Sequence, residues 1–262
     1  MHAHSEYLQA GKGTPVIMLH SSMSSKEQWS KLAATLKYDY HTIAIDLYGY
    51  GGGEYPKNPA SFTLADEALR IDTIIAGLIG KEPYHLIGHS YGGATALRLA
   101  YSNQEQIISL ALFEPVLFHL LEKTDPARAS VLEVIDRIKS YVDNYDFSEA
   151  TRVFVDFWSG NGTYDGISQT KQSLLNGGIK KVLLDFQAGI YEPLTIEDYR
   201  TIKLPVCLIT SPQSPLPTRQ IIHHLENALP HRQMHRVDGG HMAPISNAKN
   251  VNPILEAFIR TI

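Results

Sequence analysis

The sequence predicts an α/β fold, in which a mostly parallel central sheet is flanked by helices and carries a helical insert. Short apolar runs of strand length alternate with segments of helix length, as in a parallel sheet with right-handed crossovers. Several runs are apolar on both faces, as expected for central strands that helices cover on both sides. Residues 115–200 interrupt this alternation with helical segments, so we expect an insert there rather than a further part of the sheet.

The predicted strands are short apolar runs bounded by polar or glycine-containing segments. They are PVIMLH (15–20), HTIAID (41–46), YHLIGH (84–89), IISLALFE (107–114), PVCLIT (205–210) and QMHRVD (233–238). SEYLQA (5–10) is a candidate edge strand.

Cys207 is the single cysteine of the chain, so no internal disulfide can form. It lies within PVCLIT and is predicted to be a small core residue.

The predicted core helices have apolar residues at helical spacing and recognisable caps. They are SKEQWSKLAATLK (25–37), TLADEALRIDTIIAGLIG (63–80), YGGATALRLAYSN (91–103), TRQIIHHLENAL (218–229) and VNPILEAFIR (251–260). The helix at 63–80 begins with Thr63 and has Asp66 three residues later, a near capping box.

The insert contains three further helical segments and no convincing strand. These segments are ASVLEVIDRIKSYV (129–142), SEATRVFVDFW (148–158) and IKKVLLDFQAGI (179–190). We therefore predict a core formed by residues 1–114 and 201–262, with residues 115–200 as a helical lid on one edge of the sheet.

Charge and the distribution of apolar residues indicate which partners and which location to expect. The net charge is −4 and no Lys/Arg cluster is present, so neither nucleic acid nor an anionic membrane is an expected partner. The N-terminus lacks the basic and apolar regions of a signal peptide, and no run of about 18 apolar residues could span a bilayer. We expect a cytoplasmic protein whose partner is a small molecule, with its oligomeric state left open. His2 and His4 are expected to form a disordered tip rather than a metal site.

The segment LIGHSYGGATAL (86–97) contains the pattern G-x-S-x-G at Gly88, Ser90 and Gly92. The pattern alone is weak, but here a predicted strand ends on it and a predicted helix begins on it. A sharp strand–turn–helix lifts the serine hydroxyl above the sheet, and glycine on each side lets the backbone pass closely. The free N–H groups of the helix N-terminus can then stabilise a developing oxyanion. Ser90 is therefore the candidate nucleophile.

Together with its flanking segments, this motif resembles the α/β-hydrolase family, and the resemblance covers nearly the whole chain. VIMLHSSMSSKEQW resembles the family's strand and oxyanion-hole turn, with Ser21 where glycine is usual. IAIDLYGYGGGEYP resembles the next strand and its loop, through Asp46, Gly49 and Gly51. DGGHMAPISNAKNVNPIL resembles the segment that carries the catalytic histidine, here His241. The resemblance implies the α/β-hydrolase fold and a catalytic order of serine, acid and histidine along the chain.

The histidines of the chain differ in what their positions indicate. His241 follows a strand and two glycines, so a neutral imidazole there can take the Ser90 proton and return it to a leaving group. His20 and His89 lie beside the two active-site turns and are predicted to hold those turns by hydrogen bonds. The pairs His223–His224 and His231–His235 lack carboxylate or cysteine partners at ligand spacing, so no metal site is predicted. The oxyanion hole is assigned to the backbone N–H groups of Ser22 and Tyr91.

The acid of the expected triad is absent from its commoner place. Many family members carry it after the strand at 205–210, but LPVCLITSPQSPLPT (204–218) contains neither Asp nor Glu, and the aligned position falls near Ser214. Glu114 ends the strand that follows the nucleophile helix, 24 residues after Ser90, and haloalkane dehalogenases place their acid at this strand end. An acid between LALF and PVLF needs a partner, and His241 is the obvious one.

Two other carboxylates and one other role for Glu114 remain open. Glu114 could instead cap the first turn of the insert. Asp238, three residues before His241, is the second candidate for the acid and would need a tight loop. Asp46 is predicted to brace its own turn.

These residues predict a cofactor-free serine hydrolase that acts on carboxylic esters or related small acyl compounds. Serine at the turn argues against the dehalogenase and epoxide-hydrolase branches of the family, whose nucleophile is Asp. Carbon–carbon bond hydrolases, thioesterases and cofactor-free peroxidases remain open, as does a non-catalytic ligand-binding receptor. Candidate substrate-binding residues are Ser21, Phe154, Trp158 and Met242, although packing within the insert equally explains its aromatic side chains.

Overall fold

The computed structural model describes residues 5–262, and within this range seven strands form one sheet in the order β1-β3-β2-β4-β5-β6-β7. The strands are β1 (Tyr7–Ala10), β2 (Pro15–Leu19), β3 (His41–Ile45), β4 (Tyr84–His89), β5 (Ile107–Phe113), β6 (Val206–Thr210) and β7 (Arg232–Arg236). β1 pairs antiparallel with β3, and the other pairs are parallel. His2 and His4 lie outside the described residues.

Ten α-helices are present over residues 5–262, six of them in the alternating part of the chain and four, α4 to α7, between β5 and β6. They are α1 (Ser30–Leu36), α2 (Leu64–Ile79), α3 (Tyr91–Ser102), α4 (Pro126–Asp143), α5 (Phe147–Ser159), α6 (Gln169–Ile190), α7 (Ile196–Tyr199), α8 (Leu216–Ala228), α9 (Ala243–Ser246) and α10 (Ala248–Thr261). Each predicted core strand and helix is present, with ends displaced by up to three residues, except that the helix predicted at 25–37 begins as a 3-10 turn (Lys26–Trp29) and becomes α-helical only at Ser30. The predicted mostly parallel α/β architecture is confirmed.

The central strands are buried on both faces, which explains why their sequences are continuously apolar. Ile17 and Leu19 of β2 pack into the layer formed with α2, α3 and α8. The intervening Val16 and Met18 pack into the opposite layer, with α1 and α10. Burial of apolar surface on both sides of the sheet is the main favourable term for this arrangement. Cys207 of β6 lies in the second layer and is fully buried, as predicted.

The helix α2 begins where the sequence places its cap. The Thr63 hydroxyl accepts from the Asp66 N–H at 3.2 Å, and the Asp66 carboxylate accepts from the Thr63 N–H at 2.9 Å. This reciprocal pair satisfies two N–H groups that the helix leaves free, so the predicted capping box is confirmed.

Helices α4 to α7 lie between β5 and β6, and the described chain contains no strand from residue 114 to residue 205. α4, α5 and α6 pack against one another, and α6 also contacts α2 and α3. Their buried side chains, such as Ile138, Val153 and Val182, form one continuous cluster with the layer of α2, α3 and α8. The helical insert therefore shares the hydrophobic core of the sheet rather than having a separate one. No helix within residues 5–262 is long and apolar enough to cross a membrane.

The glycines of the G-x-S-x-G motif allow α3 to approach β2 and β4 closely. A Cβ on Gly92 would lie 2.3 Å from the carbonyl oxygen of His20, and one on Gly88 would lie 2.5 Å from the carbonyl oxygen of Gly92. Real Cβ atoms do not come this close to backbone oxygens, so both positions require glycine.

Gly92→Ala should destabilise the protein by about 1–3 kcal/mol or more, because the backbone atoms that the methyl group meets cannot move away without shifting a strand. Gly77→Ala is the matched control: Gly77 is an exposed residue within α2, and a Cβ there meets nothing within 4 Å. This control should stabilise the protein by roughly 0.5–1 kcal/mol through helix propensity. Urea unfolding of the two variants measures both effects, and a Gly92→Ala protein as stable as wild type would contradict the close approach.

Candidate active site

Ser90 occupies the sharp turn between β4 and α3, and its backbone has an uncommon conformation. Its φ is 56° and its ψ is −118°, a combination that costs a residue with a Cβ on the order of 1–3 kcal/mol. The turn is fixed from both sides, because the Ser90 N–H donates to the Phe113 carbonyl at 3.0 Å and the Ser90 carbonyl accepts from the Val116 N–H at 3.3 Å. The Ser90 hydroxyl is thereby presented at the carboxyl end of the parallel sheet.

His241 lies on the loop after β7, and its imidazole ring faces Ser90. The His241 Nε2 atom is 2.9 Å from Ser90 Oγ, and His241 is 1% exposed. The Trp158 ring from α5 packs over the imidazole, with ring centroids 4.4 Å apart and planes 33° apart. The backbone of the loop is held as well, because His89 Nε2 donates to the His241 carbonyl at 2.9 Å.

Glu114 follows β5 directly and is fully buried. Its Oε2 accepts from His241 Nδ1 at 2.8 Å, and its Oε1 accepts from the Thr210 hydroxyl at 2.7 Å and the Ser211 N–H at 2.8 Å. Burial alone would raise the pKa of Glu114, but the hydrogen bonds from His241, Ser211 and Thr210 lower it below its ordinary value. The ionised carboxylate therefore holds the Nδ1–H tautomer of His241, with Nε2 free to accept the Ser90 proton.

The other two carboxylates considered from the sequence lie elsewhere. Asp238 is exposed and accepts from the Gln213 side chain at 2.9 Å. Asp46 is buried and accepts from the Gly52 N–H and from both the N–H and the Nζ of Lys26, each at 2.7 Å. Asp46 thus braces its own loop, as predicted, and of the three carboxylates it is Glu114 that contacts His241.

The N–H groups of Ser22 and Tyr91 are available at the turns beside Ser90. Ser22 lines the same cavity as Ser90, and Tyr91 is the first residue of α3. Neither N–H donates to an acceptor within residues 5–262. Two free N–H groups beside a serine hydroxyl can stabilise an oxyanion.

Ser21 does not reach the substrate space, so its prediction as a substrate-binding residue is wrong. It is 2% exposed, and both its N–H and its hydroxyl donate to Gln28 Oε1 at 3.1 Å. These two bonds direct the side chain of Ser21 into the protein, whereas the neighbouring Ser22 faces the cavity. Serine in place of the usual glycine is therefore accommodated by an internal acceptor.

Gln28 is a functional neighbour that sequence reasoning missed. Besides accepting from Ser21, it donates from Nε2 to His89 Nδ1 at 3.1 Å. Since His89 in turn donates to the His241 carbonyl, Gln28 and His89 together link the turn at Ser21 to the loop that carries His241. No motif marks Gln28, because it lies on an ordinary 3-10 turn that leads into α1.

His20 and His89 serve as neutral hydrogen-bonding groups; His20 holds the turn beside it, as predicted, whereas His89 bonds to Gln28 and to the His241 loop rather than to the Ser90 turn. His20 Nδ1 donates to the Ser21 carbonyl at 2.7 Å, and its Nε2 accepts from the Leu47 N–H at 3.0 Å. Burial lowers the pKa of His20 to about 4. Burial, followed by repulsion from a protonated His241, lowers the pKa of His89 well below its ordinary value.

A buried ionic cluster from α2 and α6, also absent from the sequence predictions, borders the cavity. Asp185 Oδ2 accepts from the hydroxyls of Ser22 and Tyr50, each at 2.5 Å, and Asp185 Oδ1 accepts from Lys181. Lys181 also donates to Glu67 at 3.4 Å. Burial raises the pKa of Asp185, and the donors around it act in the opposite direction. The cluster ties the helical insert to the turn that carries Ser22.

Two spaces adjoin these residues. A small inner cavity of about 20 Å³ is lined by Ser90 and Ser22 together with side chains of the helical insert. A larger outer groove of about 720 Å³ lies beside it and includes Met242. Phe154 and Trp158 line both spaces, so three of the four predicted substrate-binding side chains border them. No group of three or more potential metal ligands occurs in the part of the chain from residue 5 onward.

Comparison with known proteins identifies relatives that extend over most of the chain. The model of the alpha/beta hydrolase family matches residues 16–253. A poly(3-hydroxyalkanoate) depolymerase from Ectopseudomonas oleovorans is 25% identical over 251 residues, which are 94% of this chain and 84% of the relative. Among solved structures, a hydrolase from Pseudomonas aeruginosa superimposes with a TM-score of 0.78 at 17% identity, over 97% of this chain and 93% of that one.

Other matches are more local. A fluoroacetate dehalogenase from a Burkholderia species is 29% identical over 118 residues, which are 44% of this chain and 39% of the relative. The chain spans between about a quarter and a half of the length of the first curated relatives that it matches.

The neutral histidines of the site should make the protein less stable in acid. Between pH 6.5 and about 4, the unfolded chain binds a proton at His20 that the folded protein does not. The free energy of unfolding should therefore fall with decreasing pH, by up to about 1.4 kcal/mol per pH unit for each such histidine. Above pH 6.5 this contribution is constant, because both states are neutral.

Urea unfolding at several pH values between 4.5 and 7.5 measures this slope. His20→Asn keeps a donor near the Ser21 carbonyl but removes the titrating ring, so its slope in this window should be smaller than that of wild type. His223→Asn, at an exposed position on α8, should leave the slope unchanged. An equal slope in wild type and His20→Asn would contradict the assignment of a neutral buried His20.

Proposed function

Because the chain belongs to the alpha/beta hydrolase family, we propose that it is a serine hydrolase that cleaves carboxylic esters or related small acyl compounds. The observation that carries the proposal is one chain of hydrogen bonds at the carboxyl end of the sheet. It runs from Ser90 Oγ to His241 Nε2 at 2.9 Å and from His241 Nδ1 to Glu114 at 2.8 Å. The three side chains are buried, and each is within hydrogen-bond reach of the next, as nucleophilic catalysis by serine requires.

In the proposed reaction, Ser90 Oγ attacks the carbonyl carbon while its proton passes to His241 Nε2. The resulting imidazolium lies 2.8 Å from the Glu114 carboxylate, whose charge stabilises it. When the tetrahedral intermediate collapses, the alcohol leaves with the proton from Nε2 and an acyl-serine remains. Water then attacks the acyl-serine with His241 as general base, which releases the acid and restores Ser90.

The negative charge of the tetrahedral intermediate needs donors that are already in position. We assign this role to the backbone N–H groups of Ser22 and Tyr91, which have no other acceptor within residues 5–262. Tyr91 is the first residue of α3, so the positive end of the helix dipole also stabilises the negative charge of the intermediate.

We also propose that the helical insert, residues 115–200, acts as a lid over a catalytic core formed by the rest of the chain. Phe154 and Trp158 from α5 cover the space next to Ser90, and Asp185 from α6 borders it. Excluding water from this space strengthens the hydrogen bonds to a developing charge.

The first test is direct labelling of Ser90. A fluorophosphonate probe should add once to the wild-type protein, as measured by intact mass, and should not add to Ser90→Ala, which should also lose hydrolysis of p-nitrophenyl acetate. The thermal midpoint of Ser90→Ala should stay close to that of wild type, because alanine keeps the Cβ and its backbone strain.

Ser102→Ala, at the end of α3, is the control and should be labelled normally. Full labelling of Ser90→Ala would remove Ser90 from the mechanism, and a stable wild-type protein that never reacts would favour a ligand-binding role.

The second test concerns Glu114. In Glu114→Gln, the amide oxygen should stay with Thr210 and Ser211, so the NH₂ group faces His241 Nδ1. An NH₂ donor there favours the tautomer with the proton on Nε2, which cannot accept the Ser90 proton. We expect kcat to fall by about 10⁴, the loss known for the comparable acid of a serine protease, while KM stays close to wild type.

Asp238→Asn is the matched control, since it makes the same chemical change to an exposed carboxylate three residues before His241. Its kcat should remain near the wild-type value. The reverse outcome, an active Glu114→Gln and an inactive Asp238→Asn, would mean that Asp238 is the acid.

A further inference from the structure

We propose that the preferred substrates are esters of a very short, unsubstituted acyl group with a larger apolar alcohol. The inference rests on the proposed function and extends it to the substrate class. It follows from the unequal size of the two spaces beside Ser90 and from their positions relative to His241.

The inner cavity is the smaller of the two spaces, and it is the one that Ser90 lines. Its volume of about 20 Å³ accommodates roughly one water-sized or methyl-sized group. The walls are buried side chains packed against one another: Phe118 and Phe186 stack with ring centroids 5.5 Å apart, and Val116 and Val182 are 5% and 0% exposed. Walls packed at core density do not expand easily, so the cavity limits the length of the group that it receives.

The outer groove has about 720 Å³ and is bordered by the loop that follows His241, through Met242 and Ile245. Large apolar side chains on its lining are exposed, with Leu174 at 77% and Ile245 at 41%. Exposed apolar side chains along one groove are typical of a surface that receives an apolar ligand.

The reaction geometry assigns one part of the ester to each space. The leaving oxygen must lie within hydrogen-bond reach of His241 Nε2 to take its proton, and the groove is the space bordered by the residues next to His241. The acyl carbon is bonded to Ser90 Oγ, and the inner cavity is the space that Ser90 lines. The alcohol therefore extends into the groove and the acyl group into the inner cavity.

The polar wall of the inner cavity favours an unsubstituted acyl group. Asp185 borders the cavity, but its carboxylate oxygens already accept from Ser22, Tyr50 and Lys181. A polar substituent on the acyl group would lose its bonds to water and find few free partners.

Two series of substrates test the assignment separately. In the acyl series, p-nitrophenyl acetate, propionate, butyrate, hexanoate and octanoate share one leaving group. Beyond the length that fits, kcat/KM should fall by about tenfold for each added methylene. The alcohol series consists of ethyl, butyl, hexyl and octyl acetate, and its hydrolysis is measured by the release of acid. Along this series kcat/KM should rise by up to about fourfold for each methylene that the groove buries.

Variants of each space should change one series and not the other. Phe186→Ala, or the milder Val182→Ala if the first does not fold, enlarges the inner cavity and should move the acyl optimum towards butyrate or hexanoate. Ile245→Ala removes apolar surface from the groove and should flatten the rise along the alcohol series, with the acyl preference unchanged.

The outcomes separate this inference from the proposed function. If Ser90 is labelled by the fluorophosphonate probe but octanoate is cleaved as fast as acetate, the size limit is wrong while the hydrolase assignment stands. If Phe186→Ala or Val182→Ala alters the alcohol series instead of the acyl series, the two spaces have been assigned the wrong way round. Failure of Ser90 to react with the probe would overturn the proposed function itself, and the inference with it.

Discussion

The buried carboxylate of Glu114 is the group on which the arrangement of the site depends. A charge removed from water is stable only when donors surround it, and here they come from two other loops of the sheet edge. Thr210 and Ser211 supply them from the end of β6, and His241 supplies one from the loop after β7. Glu114 therefore fixes the relative positions of three strand ends as well as the tautomer of the histidine.

The position of Glu114 at the end of β5 also explains why the sequence LPVCLITSPQSPLPT contains no acidic residue. The end of β6 does not carry a carboxylate of its own but donates to the one that follows β5. A hydroxyl and a backbone N–H are suited to this purpose, because each places a donor on Glu114 without adding a second charge. A further carboxylate at this edge would have to be buried next to the first, which is costly.

Most of the fold and the position of Ser90 could be predicted from the sequence, because the patterns that indicate them are local. Strands buried on both faces are continuously apolar, and the turn at Ser90 has its glycines at fixed positions. The assignment of Glu114 as the acid rested on its position at a strand end together with the resemblance to haloalkane dehalogenases. Contacts between distant residues that no motif marks could not be predicted: Gln28 lies 61 positions before His89, and Ser22 lies 163 before Asp185. Ser21 was misplaced because the sequence does not indicate which of two adjacent serines faces the cavity.

The hydrogen bond from Ser22 to Asp185 joins the oxyanion turn of the core to a helix of the insert. Any opening of the insert that displaces α6 must break this bond and free the turn that presents the Ser22 N–H. The position of the Ser22 N–H beside Ser90 therefore depends on where α6 lies, so a helix remote from Ser90 in the sequence helps to set the geometry of its surroundings.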